Sequence, residues 1–198
     1  MLRDAGPRSA LCRAAQAVDR LVLLGDVLEL RHGPMHQALA QAEPVLRELG
    51  AALSGKTEVI LVPGNHDYRL LAPWLERRAL APEPLPLGSE SEIRSESGEP
   101  LAELARWLEP AAVRVAYPGV WLRDDVYATH GHYSDRHHTV PILERLGAGA
   151  MARIAREPAG GPWRAEDYET TLRPMYAWID AVAQVGGVRG RGVDPGVH

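Results

Sequence analysis

The sequence predicts an α/β domain built on a largely parallel sheet, and three observations lead there. Apolar runs at residues 21–24, 59–62 and 126–128 each end in a short polar motif, and uninterrupted apolar runs of this length are how buried strands of α/β sheets read. Between the first two runs, Met35, Leu39, Ala42, Leu46, Leu49 and Leu53 recur every three or four residues, the stripe of an amphipathic helix. One helix between two strands is the length of a βαβ crossover. Such a crossover returns the chain parallel to its start, so both strand ends meet at one edge of the sheet.

The elements follow in order. The opening residues, Met-Leu-Arg-Asp-Ala-Gly-Pro, read as a loop. Residues 21–24 form the first strand, and Pro34, a favoured first-turn residue, starts the helix. Pro44 is expected to kink or split that helix, because it removes a backbone donor and crowds the preceding turn. Residues 57–62 form the second strand, and residues 68–80 a short helix interrupted near Pro73. Residues 81–112 read as an insertion. Its first part, 81–100, carries four prolines among Ser, Glu and Gly, and is expected to be a mobile surface stretch. Pro100 opens a short helix with Leu101, Leu104 and Leu108 inward, stopped by Pro110. Residues 113–116 and 120–122 read as two strands flanking Pro118-Gly119. A final amphipathic helix is expected near 166–185, with Tyr168, Leu172, Met175, Ile179 and Val182 on one face and Pro174 breaking it.

Composition narrows the class of protein. At 198 residues the chain supports one domain with a real core. A net charge of −4 gives no basic footprint for nucleic acid or anionic membrane. No apolar run reaches the length of a membrane span, and the first twenty residues lack a signal peptide's apolar stretch. The expected location is therefore the cytoplasm. The single Cys12 rules out an internal disulfide and a Cys-rich metal site. Lys56 is the only lysine and phenylalanine is absent, a bias that points to GC-rich coding rather than to function. Oligomeric state is not legible.

The motifs at the strand ends carry the chemistry. They are Gly25-Asp26-Val27-Leu28-Glu29, Gly64-Asn65-His66-Asp67 and Thr129-His130-Gly131-His132. Open α/β sheets bind ligands at the carboxyl ends of their strands, where these loops sit. Gly25 and Gly64 permit tight turns that aim the next side chain into the cleft. Asp26, Asn65 and His130 together offer oxygen ligands and an imidazole, a set suited to Mn, Fe or Zn. Each has a plainer role available: Asp26 as a turn cap, Asn65 as a left-handed turn residue. Glu29 is expected to support the turn or brace a ligand from behind rather than bind metal, His32 and His36 to be solvated, and His137 and His138 to be exposed.

Taken together, these residues resemble the calcineurin-like metallophosphoesterases. That family reads Asp-x-His, Gly-Asp-x-x-Asp/Glu, Gly-Asn-His-Asp/Glu, a lone His, then Gly-His-x-His. The second, third and fourth blocks match in order at Asp26, at Asn65 with His66, and at His130, over residues 20–133. Gly-Asn-His-Asp directly after an apolar strand is the most specific of them. The resemblance implies part of a four-layer α/β/β/α sandwich and hydrolysis of a phosphoester substrate, diester or monoester, by two divalent ions. Asp26 would bridge the ions while Asn65 and His130 complete the second. His66 would stabilise or protonate the leaving oxygen, with Asp67 fixing its ring.

Two blocks have no counterpart. Asp-x-His occurs only as Asp135-Arg136-His137, out of order and without a strand before it, and Gly131-His132-Tyr133-Ser134 has Ser where a second His belongs. The expectation is a single domain over 1–198, truncated at both ends, holding one ion weakly. Two alternatives accompany it: a catalytically impaired remnant of the fold with a structural, metal- or partner-binding role, and a nuclease of the same fold.

Overall fold

Strand β2 (Glu58–Val62) shows how the sequence builds this sheet. In the computed structural model, which describes residues 4–31, 33–83, 86–131, Ala165 and Glu169, its last four side chains are all buried. Val59 and Leu61 point into one apolar cluster and Ile60 and Val62 into another, so both faces are covered. On one side β1 (Arg20–Leu24) pairs with it in parallel, Leu21 opposite Val59 and Leu24 opposite Val62. On the other, β4 (Ala112–Arg123) also runs parallel, with Val113 opposite Val59. The crossover between β1 and β2 is α2 (Met35–Ala52), as the helical stripe predicts.

The sheet is mixed rather than parallel throughout. Strand β3 (Glu90–Ile93) adds antiparallel to β4, giving the order β1-β2-β4-β3, and β5 (Val126–Thr129) pairs antiparallel with the far end of β4. Beyond Pro118, β4 leaves β2 and β3 and pairs with β5 alone, so the sheet curls along its longest strand. Residues 113–116 and 120–122 are thus one strand, not two. A proline inside a strand is tolerated where no ladder needs its missing N–H, and Pro118 sits at this change of partners. Its carbonyl accepts the Thr129 hydroxyl at 2.8 Å.

Among the described residues, the helices α1 (Ala5–Ala15), α2, α3 (Ala72–Leu80) and α4 (Pro100–Trp107) pack on one face. Their buried side chains, including Ala15, Leu46, Leu49, Leu75, Leu101 and Leu104, join Val59, Leu61, Val115 and Tyr117 in the larger cluster. The smaller cluster, Ile60, Val62, Ala116 and Val120, contains strand residues only among those described. Its rim is ionic. Glu58 accepts from Arg20 at 2.7 Å and from Arg114 at 3.4 Å, and Arg114 donates to Glu90 at 2.5 Å, a ladder across all four strands. Burial pushes the Glu90 carboxyl up, but the Trp121 N–H and Arg114 outweigh it and hold it below its usual value.

Several expectations are corrected. The opening is helical from Ala5, because Gly6 and Pro7 fall in the first turn, where a missing N–H costs nothing. Helix α2 is not split at Pro44 but continues from Met35 to Ala52, with Leu46 and Leu49 buried beneath it. A 3₁₀ turn (Tyr68–Leu71) precedes α3, so Pro73 sits in the helix's first turn rather than interrupting it. The stretch 81–100 is not merely a surface excursion: its described part supplies β3 and buries Leu87 and Ile93, while α4 follows from Pro100 with Leu101, Leu104 and Leu108 buried, as expected. Strands β1 and β5 are half-buried, with Leu24 exposed, because among the described residues each pairs on one side only. The helix expected near 166–185 lies outside the described residues apart from Glu169, as do His32, His132, His137 and His138. Among the described residues no helix is long and apolar enough to cross a membrane.

If residues 81–112 are integral to the core, Leu104→Ala should cost about 2–5 kcal/mol of unfolding free energy, as for any fully buried leucine. Leu49→Ala on α2 should cost a similar amount. Urea unfolding of both variants measures this; a near-silent Leu104→Ala would mean that α4 is not integral to the core.

Candidate active site at the strand ends

The loops after β1 and β2 are pressed together by backbone contacts that only small residues allow. Gly25 has a φ of +78°, and a Cβ there would fall 2.1 Å from the His130 ring nitrogen Nδ1. Gly64 serves differently from the turn role its sequence suggests: its φ is ordinary, but a Cβ would fall 2.5 Å from Asp26 Oδ1. Asp26 itself has a φ of +53°, a left-handed conformation that Asp tolerates better than most residues. That turn aims its carboxylate across the gap. Oδ1 accepts the His66 N–H at 2.9 Å, and Oδ2 lies 3.1 Å from His130 Nε2.

Asp67 holds the two loops in register. Its side chain is fully buried and accepts N–H groups from Gly64 at 2.5 Å, Val27 at 2.7 Å and Leu28 at 3.4 Å. Burial pushes its carboxyl up to about 6, assisted by the nearby Asp26 and opposed by the three N–H donors. This corrects the role expected for it: Asp67 does not orient the His66 ring. Glu29 does. Its Oε2 sits 2.6 Å from His66 Nδ1, while its Oε1 accepts the Arg31 N–H at 3.0 Å. A carboxylate only accepts, so His66 Nδ1 carries the proton toward Glu29. The signal for Glu29 was present in its place three residues after Asp26, but only the fold brings it to His66.

His130 is oriented from the other side. Its Nδ1 lies 3.0 Å from the Leu24 carbonyl, which can only accept, so the proton is on Nδ1. In a neutral ring the Nε2 lone pair then faces Asp26 Oδ2, two acceptors 3.1 Å apart. Such a contact needs a positive centre between the two atoms, a proton or a metal ion. Metal-binding imidazoles characteristically donate their other N–H to a carbonyl, as here. Two donors each about 2.1 Å from one ion at a right angle lie about 3 Å apart, so the spacing fits a divalent cation.

Asn65 is half-buried between Gly64 and His66, the two residues whose backbone touches the Asp26 carboxylate. The fold therefore gathers Asp26, the Asn65 loop and His130 at one sheet edge. Among the described residues no group of three or more His, Cys, Asp or Glu side chains is arranged to hold a metal. The side chains the structure brings into contact are the Asp26 carboxylate and the His130 imidazole, with Asn65 in the adjoining loop.

The raised Asp67 carboxyl has a definite sign in stability. The folded protein takes up a proton between about pH 4 and 6 that the unfolded chain does not, so this contribution is full below 3.8 and is lost as pH rises through 6. It amounts to about 3 kcal/mol. The stability difference between the metal-free wild type and Asp67→Asn should therefore widen as pH falls from 7 to 4. Denaturant unfolding across that range measures it, and a flat or narrowing difference would contradict the assignment. Comparison with protein-family models, with curated proteins and with solved structures finds no match for this chain.

Proposed function

We propose that this chain is a metal-dependent phosphoester hydrolase of the calcineurin-like type, its curled sheet belonging to that family's four-layer sandwich. The observation that carries the reading is the contact of two acceptors, Asp26 Oδ2 and His130 Nε2, at 3.1 Å, beside a loop reading Gly-Asn-His-Asp. Asp26, His130 and Asn65 would hold a divalent ion, Mn, Fe or Zn. When bound, it supplies Lewis acidity: it acidifies a water molecule and draws charge from the phosphoryl oxygens.

The remaining chemistry belongs to the chain. The Leu24 carbonyl fixes the His130 tautomer and presents Nε2. The His66 N–H holds Asp26 Oδ1, which leaves Oδ2 as the ligating oxygen. Glu29 keeps a proton on His66 Nδ1, so proton exchange falls to His66 Nε2. Only as the imidazolium, with both nitrogens protonated beside the Glu29 carboxylate, would the ring give a leaving oxygen the Nε2 proton or stabilise its charge. Asp67 keeps the two loops at the separation this requires. The second ion that the family uses would draw on further ligands, and none is assigned here.

The same contact favours one other reading. A proton on His130 would make it an ion pair with Asp26, and the chain a structural remnant of the fold. Titration of the full chain with Mn²⁺, followed by calorimetry, separates the two. A metal site predicts saturable binding, weakened by at least about tenfold in Asp26→Asn and His130→Gln. His66→Ala should leave Mn²⁺ affinity nearly intact while slowing hydrolysis of an aryl phosphodiester by about a hundred- to ten-thousand-fold. No saturable Mn²⁺ binding would decide for the remnant, and weaker Mn²⁺ binding in His66→Ala would move His66 from proton transfer to ligation.

A further inference from the structure

Glu169 is a buried carboxylate that the proposed chemistry does not use. It is 6% exposed, and a carboxylate so placed persists only with hydrogen-bond donors on its oxygens. It has them. The Tyr68 hydroxyl donates to Oε2 and the Tyr117 hydroxyl to Oε1, one phenol for each oxygen. Both rings are themselves buried, Tyr117 completely. The two tyrosines come from different parts of the fold. Tyr117 lies on the central strand β4, next to the point where that strand changes partners, and Tyr68 directly follows Asp67.

We infer that Glu169 is a positioning residue for the Gly64–Asp67 loop, clamping Tyr68 to Tyr117 and thereby setting where His66 and Asp67 stand. The chain of contacts is short. Tyr68 adjoins Asp67, whose carboxylate collects the N–H groups of Gly64, Val27 and Leu28. One residue earlier, the His66 N–H holds Asp26 Oδ1 and the His66 carbonyl accepts the Leu30 N–H at 3.1 Å. A shift of Tyr68 moves the backbone on which both loops are registered. The link spans 101 residues of sequence, so a remote part of the chain holds the site's second loop against the sheet. Its consequence for metal binding rests on the function proposed above; the clamp itself does not.

Hydrogen exchange of backbone amides over residues 64–71 in the full chain tests it, with the amides of α2 as internal reference. Glu169→Gln and Tyr68→Phe should each speed exchange in 64–71 by about tenfold or more relative to α2, as expected for loss of a hydrogen bond to a charged group. Tyr68→Phe keeps the ring and the carboxylate, so it reports even if Glu169→Gln folds poorly. The double variant should be no faster than the faster single variant, because Glu169 acts through Tyr68. Unchanged exchange in 64–71, or additive effects, would overturn the inference. Mn²⁺ titration supplies a second arm: Glu169→Gln should weaken binding by roughly tenfold. Loosened exchange with unaltered Mn²⁺ affinity would reduce Glu169 to a purely structural residue. A wild type that binds no Mn²⁺ would sink the hydrolase reading instead, leaving the exchange result to decide the clamp.

Discussion

The buried carboxylate of Asp67 is the contact on which the site depends. It reaches from the loop after β2 to the loop after β1 and takes three backbone N–H groups from the two, at Gly64, Val27 and Leu28. Loops at strand ends have no ladder to satisfy their backbone donors, and orphaned donors here would have to stay in water. By accepting them in the interior, Asp67 allows the two loops to close on each other until Gly64 meets the Asp26 side chain. The cost is a carboxyl held in an apolar setting, which burial pushes up to about 6. Without that contact the left-handed turn at Asp26 would have no fixed partner to face.

The sheet provides a frame stiff enough for this arrangement to matter. Strand β4 is paired along its whole length, first with β2 and β3 and then with β5. It thereby connects the parallel strands that carry Asp26 and Asn65 to the antiparallel strand that carries His130. Helices load one face of the sheet, and on the other the ladder Arg20–Glu58–Arg114–Glu90 borders a small apolar cluster. These ion pairs are half-exposed and contribute modestly to stability. They do fix the lateral order of four strands, since each charge has its opposite on the neighbouring strand.

Two histidines at the strand ends are held by different partners, and under the proposed function that difference gives them different tasks. A backbone carbonyl holds His130 and a carboxylate holds His66, so each ring presents Nε2. The His130 nitrogen faces another acceptor, which suits cation binding. The His66 ring is backed by the negative charge of Glu29, which suits proton transfer to a leaving group. The same residue type on the same edge thus acquires distinct chemistry from what stands behind it.

Much of this was legible in the residues. The uninterrupted run Val59-Ile60-Leu61-Val62 announces a strand buried on both faces, and the stripe from Met35 to Leu53 announces its crossover helix. Glycine-led motifs joined by one crossover placed Asp26 and the Asn65 loop at one edge, because period and spacing are local properties that a sequence carries whole. What local pattern could not carry was decided by tertiary contact. Pro100 and the inward Leu101, Leu104 and Leu108 announced α4, but the prolines at 82, 84 and 86 spoke for an irregular excursion before it, where Leu87 and Ile93 found core to bury against and β3 formed. Pro118 read as a strand break until the change of partners along β4 made its missing N–H harmless. Asp67 departs from its expected role for the same reason, and Glu29, besides supporting its own turn, reaches the His66 ring instead. Which carboxylate reaches a histidine ring and which is drawn inward to backbone donors depends on how closely two loops distant in sequence approach. Spacing along one strand of sequence determines the candidates, and only packing between loops determines the partners.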